Sequence, residues 1–214
     1  KNCSLENDIL PKLIEKKIIT GNIYKDFFLD IGTPKYLKNT QTSLKKIYYR
    51  PAVFLDRDGV INYDFGYVHK IKNFIFKKGV IDGLKLLIKK NYYIFIVTNQ
   101  AGIAKNIFKE KDFINLHIHL KKKLSSKNIF FNDVQYSQYH PRGKVKKFRK
   151  ISNLRKPGNR MITNITKNWL IDKKNSFMIG DKLSDEKCAL KSKINFNYTS
   201  NDFLKQIKRL TNKN

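Results

Sequence analysis

The chain has 214 residues, 41% of them hydrophobic, which allows one domain with a packed core and an appendage. Its formal charge of +28 comes from 45 Lys and Arg against 17 Asp and Glu. The excess is mostly lysine, scattered in pairs and triplets such as Lys89-Lys90 and Lys121-Lys122-Lys123. With abundant Asn and Ile, it reads as compositional drift rather than a dedicated nucleic-acid site, though a positive surface still attracts small polyanions.

No apolar run approaches the roughly 18 residues of a membrane span, and no signal-peptide pattern is present. Two cysteines, Cys3 and Cys188, are too few for a disulfide framework and fit a reducing cytoplasm. The chain begins with Lys1, not Met, and is read as a fragment or a processed product.

Residues 1–50 do not read as a complete domain. Leu5, Ile9, Leu10, Leu13 and Ile14 follow helical spacing. Phe27–Ile31 reads as a strand closed by Gly32-Thr33-Pro34, and Tyr36–Ile47 as a helix leading into a second domain that begins near Tyr49.

From Pro51 the pattern is strand, loop, helix, strand. Val53-Phe54-Leu55 is a short apolar run of the kind buried in a parallel sheet, and it ends in Asp56-Arg57-Asp58-Gly59. In open α/β sheets ligands sit beyond the carboxyl ends of such strands, so two carboxylates are aimed at one crevice. Like charges that close call for a cation or a proton between them, and an all-oxygen ligand set suits Mg²⁺. The motif alone also suits turns and calcium loops.

Next comes a turn-rich flap, Asn62–Val68. A helix is predicted over Val80–Lys90, with Ile81, Leu84, Leu87 and Ile88 on one face, and a strand over Tyr92–Val97 that ends in Thr98-Asn99-Gln100. Phe108–Leu124 reads as a helix, Phe130–Tyr136 as a strand and Ser137–Arg155 as a long loop followed by Lys156-Pro157. Met161–Trp169 is helical, with Trp169 in the core. Ser176–Ile179 is an apolar strand closed by Gly180-Asp181-Lys182-Leu183-Ser184-Asp185, and Asp202–Leu210 is a terminal helix. Asp185 reads equally as a helix cap or as a member of the site, and His69, His117 and His119 as surface or partly buried residues. The alternation predicts a doubly wound, Rossmann-like α/β parallel sheet with a minimal cap and a short N-terminal appendage.

Three strands thus end in polar groups, with Lys156 ahead of the last. In this order the chain from about Pro51 to Asp202 resembles the haloacid-dehalogenase-superfamily phosphatases. Leu55–Asn62, Val97–Gln100, Arg155-Lys156-Pro157 and Gly180-Asp181-Lys182 match the four motifs. Gly66-Tyr67-Val68-His69, Ala101–Ala104, His140-Pro141 with Gly143, and Phe148-Arg149 add a resemblance to the heptose-1,7-bisphosphate 7-phosphatases. Their neighbours are the histidinol-phosphate phosphatases.

The resemblance implies Asp56 as nucleophile, Asp58 as general acid and base, and Lys156 as the charge that holds both Asp56 and the phosphate. It implies Mg²⁺ held by Asp56, the main-chain carbonyl of Asp58, and Asp181. Thr98 and Asn99 are implied as donors to the phosphate. Asp64, Gly66, Tyr67, Gln100, Arg155 and Lys182 are implied as substrate contacts. In that branch a loop carries zinc on three cysteines and a histidine. The matching positions here are Ser137, Tyr139, Ser152 and Leu154, so no zinc is expected, and the loop is expected to be ordered by packing and hydrogen bonds.

Asp8–Leu13 and Phe28–Pro34 resemble the carboxyl end of sugar-1-phosphate nucleotidyltransferases. In that family the residue matching Asp30 helps bind a metal. The family's glycine-rich start is missing, so this part is expected to be an inactive remnant of a larger fused enzyme. The expected reaction is magnesium-dependent removal of the 7-phosphate of a heptose 1,7-bisphosphate, feeding nucleotide-heptose synthesis for surface polysaccharide. The expected partner is a phosphorylated sugar, with no specific nucleic acid and no membrane. The rival readings are histidinol-phosphate hydrolysis, a basic nucleic-acid-binding module and an inactive fusion remnant.

Overall fold

A computed structural model describes residues 3–24, 28, 32, 40, 42–45 and 47–212. The chain divides into two compact units, Lys1–Thr42 and Ser43–Asn214. In the first, a π-helical turn over Leu5–Ile9 runs into helix α1, Leu10–Glu15. Ser4 caps it: its hydroxyl accepts from the Asn7 N–H at 3.2 Å. The predicted helical spacing is therefore realised, but none of these residues is buried. The predicted strand at Phe27–Ile31, with Asp30, lies almost wholly outside the described residues; of the helix predicted at Tyr36–Ile47, residues 40, 42–45 and 47 are described and are helical.

The second unit is a five-stranded parallel sheet, β1 Ala52–Leu55, β2 Tyr93–Asn99, β3 Asp133–Ser137, β4 Phe177–Gly180 and β5 Asn195–Tyr198, in the order β3-β2-β1-β4-β5. Its helices are α2 Val80–Lys89, α3 Ala101–Ala104, α4 Glu110–Ser125, α5 Arg160–Asn168, α6 Leu183–Lys191 and α7 Phe203–Thr211. Strands β1, β2 and β4 are apolar on both faces because both are covered. Val53, Leu55, Ile94, Ile96, Phe177 and Ile179 share a core with Leu84, Leu116, Phe203 and Ile207. Ala52, Phe54, Phe95, Val97 and Met178 share the opposite core with Met161, Ile165 and Cys188.

The chain leaves β1 for β2 and β3 on one side, then crosses to β4 and β5 on the other. This switch point opens a crevice at the carboxyl ends of β1, β2 and β4. Two expectations are corrected. The buried residues of α2 are Val80, Gly83, Leu84 and Leu87, and Ile81 packs against the same core; Ile88 is exposed, and Gly83 lets the Phe203 ring of α7 approach. Trp169 is half-buried, edge-on to Tyr93 and Phe95 at 5.0 and 5.5 Å, and closes the rim of the second core.

His117 sits against Phe113, with ring centroids 4.3 Å apart and a buried Nε2 that has no hydrogen-bond partner among the described residues. Burial, then the Arg57 charge, pushes its pKa down to about 3. Below the ordinary value of 6.5 the unfolded chain takes a proton that the folded ring refuses, so stability falls as pH drops through that window. Urea melts should show wild type losing on the order of 2 kcal/mol more than His117→Leu between about pH 6.5 and pH 5. Equal losses would contradict this origin.

Candidate active site

The strand ends converge on a cavity of about 320 Å³ lined by Asp56, Asp58, Thr98, Asn99, Arg155, Lys156 and Asp185 among others. Asp56 follows β1 directly and is 6% exposed. Its Oδ1 accepts from the Arg57 N–H at 2.7 Å and lies 3.0 Å from Lys156 Nζ. Burial, with help from the Asp185 and Asp58 charges and against the pull of Lys156, raises its pKa to about 6.

Lys156 is buried, and its ammonium has three acceptors: Asp56 at 3.0 Å, Asp185 at 2.7 Å and the Val97 carbonyl at 2.7 Å. Burial pulls its pKa down, but the two carboxylates outweigh burial and hold it above the ordinary value. Its backbone is pinned by Asn99, whose Oδ1 accepts from the Lys156 N–H and whose Nδ2 donates to the Lys156 carbonyl, both at 3.0 Å. Asn99 therefore positions Lys156, a duty that the sequence did not disclose. The Lys156–Pro157 bond is cis.

Asp58 is turned away from Lys156. Arg57 forks onto it with Nη2 to Oδ2 at 2.8 Å and Nε to Oδ1 at 3.2 Å, Asn62 donates at 3.0 Å and Gln100 at 3.1 Å. Gln100 also donates to Thr98 Oγ1 at 2.9 Å and accepts from Arg57 at 3.3 Å. Gln100 lines the cavity, and its amide also organises Asp58 and leaves the Thr98 hydroxyl proton free to donate. Arg57 is fully buried over the Phe113 ring and also donates to the Val68 carbonyl at 2.6 Å. Arg57 and Asn62 belong to the site but escaped the sequence reading. The one signal was an arginine two residues past a buried strand.

Asp185 does both of the things expected of it. Its Oδ2 accepts from the Asp181 and Lys182 N–H groups at 3.2 and 3.0 Å, capping α6, while Oδ1 pairs with Lys156. Asp56, Asp181 and Asp185 bring carboxylate oxygens within 4.8 Å of one another. Asp181 Oδ1 is buried with no hydrogen-bond partner among the described residues. A cluster of hard oxygens with one buried oxygen unsatisfied fits Mg²⁺. Gly59, at φ +83°, makes room for it: a Cβ there would meet Asp181 Oδ2 at 2.5 Å. Lys77, another residue the sequence did not mark, donates to the Gly59 carbonyl at 2.7 Å and to Thr199 at 3.2 Å.

The flap lines the cavity with Asp64, Gly66 and Tyr67. Asp64 pairs with Lys182 at 3.3 Å and accepts from the Gly66 N–H at 2.9 Å. The Tyr67 hydroxyl accepts from Lys105 at 2.6 Å. The loop after β3 is held by packing and hydrogen bonds. The Ser137 and Ser152 hydroxyls accept local N–H groups, Tyr139 meets Phe148 edge-on at 6.1 Å, and Leu154 packs on the second core.

Residues 59–209 match the family described as polynucleotide kinase 3 phosphatase. The chain is 40% identical over 144 residues to the D-glycero-beta-D-manno-heptose-1,7-bisphosphate 7-phosphatase of Escherichia coli K12, covering 67% of this chain and 75% of that one. It is 39% identical over 146 residues to the protein of the same name from Haemophilus influenzae, covering 68% and 79%. Among solved structures, a D,D-heptose 1,7-bisphosphate phosphatase from B. bronchiseptica, complexed with magnesium and phosphate, superposes with a TM-score of 0.67. It has 18% identity, over 77% of this chain and 99% of that one. A HAD-like phosphatase from Mesorhizobium loti also gives 0.67, at 23% identity over 76% and 88%.

Proposed function

The chain belongs to the haloacid-dehalogenase-type phosphatase family, and we propose that it removes the 7-phosphate of a D-glycero-D-manno-heptose 1,7-bisphosphate through an aspartyl-phosphate on Asp56. The observation that carries this reading is the pairing of two strand-end carboxylates in unlike settings. Asp56 is buried against Lys156, whereas Asp58 stands apart in the fork of Arg57. Two carboxylates with separated environments suit separate duties.

Asp56 attacks phosphorus; its oxygen–phosphorus bond forms as the bond to the sugar C7 oxygen breaks. Asp58 gives its proton to that departing oxygen, then takes one from the water that attacks phosphorus and frees Asp56 as the carboxylate. Lys156 keeps Asp56 aimed and places positive charge beside the transferring group, and the Thr98 hydroxyl donates to it. Lys182 and Arg155 add charge along the rim. Mg²⁺ would be held by Asp56, Asp181 and the Asp58 main-chain carbonyl. Bound there, it would offset charge on the phosphoryl oxygens.

Among the described residues no helix is long and apolar enough to cross a membrane. The substrate is read as a small phosphorylated sugar, and the product would feed nucleotide-heptose synthesis. We read residues 1–50 as the end of a nucleotidyltransferase-like domain; the wording of residues 8–13 and 28–34 supports that.

The test is phosphate release with Mg²⁺ from both anomers of heptose 1,7-bisphosphate, from histidinol phosphate and from a 3′-phosphorylated oligonucleotide. The bisphosphate should be preferred over both others by about 10²-fold or more in kcat/KM. A preference for histidinol phosphate or for the oligonucleotide would replace this reading.

A further inference from the structure

We propose that the loop after β3 is a docking surface for a membrane leaflet rich in anionic lipid, on which the protein rests without spanning it. The surface lies outside the catalytic machinery and is independent of which phosphate is cleaved. Charge is unevenly distributed along the chain. Between Asp133 and Asp172 there is no Asp or Glu, while ten Lys and Arg fall in that stretch. Six of them, Arg142, Lys144, Lys146, Lys147, Arg149 and Lys150, stand within nine residues and are all exposed. Among the described residues none of the six has a carboxylate partner.

The fold gathers these cations. The loop closes on itself, with the His140 N–H donating to the Phe148 carbonyl at 3.1 Å, and it is fixed to α3 by the Val145 N–H, which donates to the Ala104 carbonyl at 2.9 Å. Tyr139 and Phe148 form its centre. The Lys150 ammonium lies 4.6 Å from the Tyr139 ring centroid, and that of Lys147 lies 4.6 Å from the Phe148 centroid. Like charges held so close repel one another unless a polyanion faces them.

Two observations select a lipid surface over a nucleic acid. The two rings are half-buried, and each is already topped by one of the loop's own ammonium groups, which leaves little to a stacking base. Directly after Lys150 stands Ile151, 89% exposed and the most exposed large hydrophobic residue described in the second unit. An aliphatic side chain held out beside clustered cations suits a headgroup layer: the lysines meet lipid phosphates and the isoleucine enters the acyl boundary. The expectation of no membrane partner rested on the missing apolar span, which docking on a surface does not need.

The experiment measures co-sedimentation of the full chain with vesicles of phosphatidylcholine alone and of phosphatidylcholine with about a quarter phosphatidylglycerol, at low and high salt. It compares wild type with Lys146→Glu/Lys147→Glu, with Ile151→Ser and with the control Lys111→Glu/Lys122→Glu, which makes the same charge change at exposed positions of α4. Wild type should bind the anionic vesicles only. The loop pair should lower partitioning by about tenfold or more relative to the control, and Ile151→Ser by about threefold, a loss that persists at high salt where the charge effect is screened. Should the loop pair melt early, Ile151→Ser against the control decides alone. Equal losses in the loop pair and the control would assign binding to diffuse charge and overturn the surface. Wild type binding neither vesicle, Ile151→Ser binding as wild type, or a single-stranded oligonucleotide held by the loop more tightly than the vesicles would also overturn it.

Discussion

Asp56→Asn is expected to lower phosphate release from heptose 1,7-bisphosphate by about 10³-fold or more while the protein stays folded. The amide keeps the shape and the hydrogen bond from the Arg57 N–H is tolerable, but a neutral amide is not a nucleophile toward phosphorus. Folding should survive because the change removes a buried carboxylate that burial and two neighbouring carboxylates already disfavour. The unfolding temperature of the metal-free variant should therefore equal or exceed that of wild type. A variant retaining a tenth of the activity would remove Asp56 from the nucleophile's place.

Lys156→Met should damage both stability and activity. The side-chain length is kept, but Asp56 and Asp185, 6% and 0% exposed, lose the one ammonium that bridges them. Breaking a buried charge pair from one side costs about 3–5 kcal/mol, to be read from the denaturant midpoint. Activity should fall by about 10²-fold or more, since the same ammonium faces the phosphate. Adding Asp185→Asn to Lys156→Met should return part of the stability, because the residues are coupled, but none of the activity. Wild-type stability in Lys156→Met would mean that the carboxylates do not depend on this lysine.

What could be read from the sequence divides along a physical line. Strands β1, β2 and β4 are short apolar runs buried on both faces, and such runs announce themselves. Strand β5, Asn195-Phe196-Asn197-Tyr198, went unread. It is an edge strand whose exposed and half-buried residues give no continuous apolar run. The carboxylates and Lys156 were legible because each stands at a strand end or in a short motif. Arg57 and Lys77 were not, because their partners come from afar: Arg57 closes on Val68 and Gln100, and Lys77 on Thr199. In a chain with 45 Lys and Arg, one buried cation looks like any surface cation until the chain folds. Asn99 and Gln100 line the cavity, and their amides also serve Lys156 and Asp58, a division of labour that only the assembled loops define.

The most direct test follows a single turnover of heptose 1,7-bisphosphate by phosphorus NMR, with Mg²⁺, in wild type and Asp56→Asn. The account predicts inorganic phosphate and a heptose that keeps its anomeric phosphate in wild type, and unchanged substrate in the variant. Loss of the anomeric phosphate, or turnover that survives in Asp56→Asn, would contradict it.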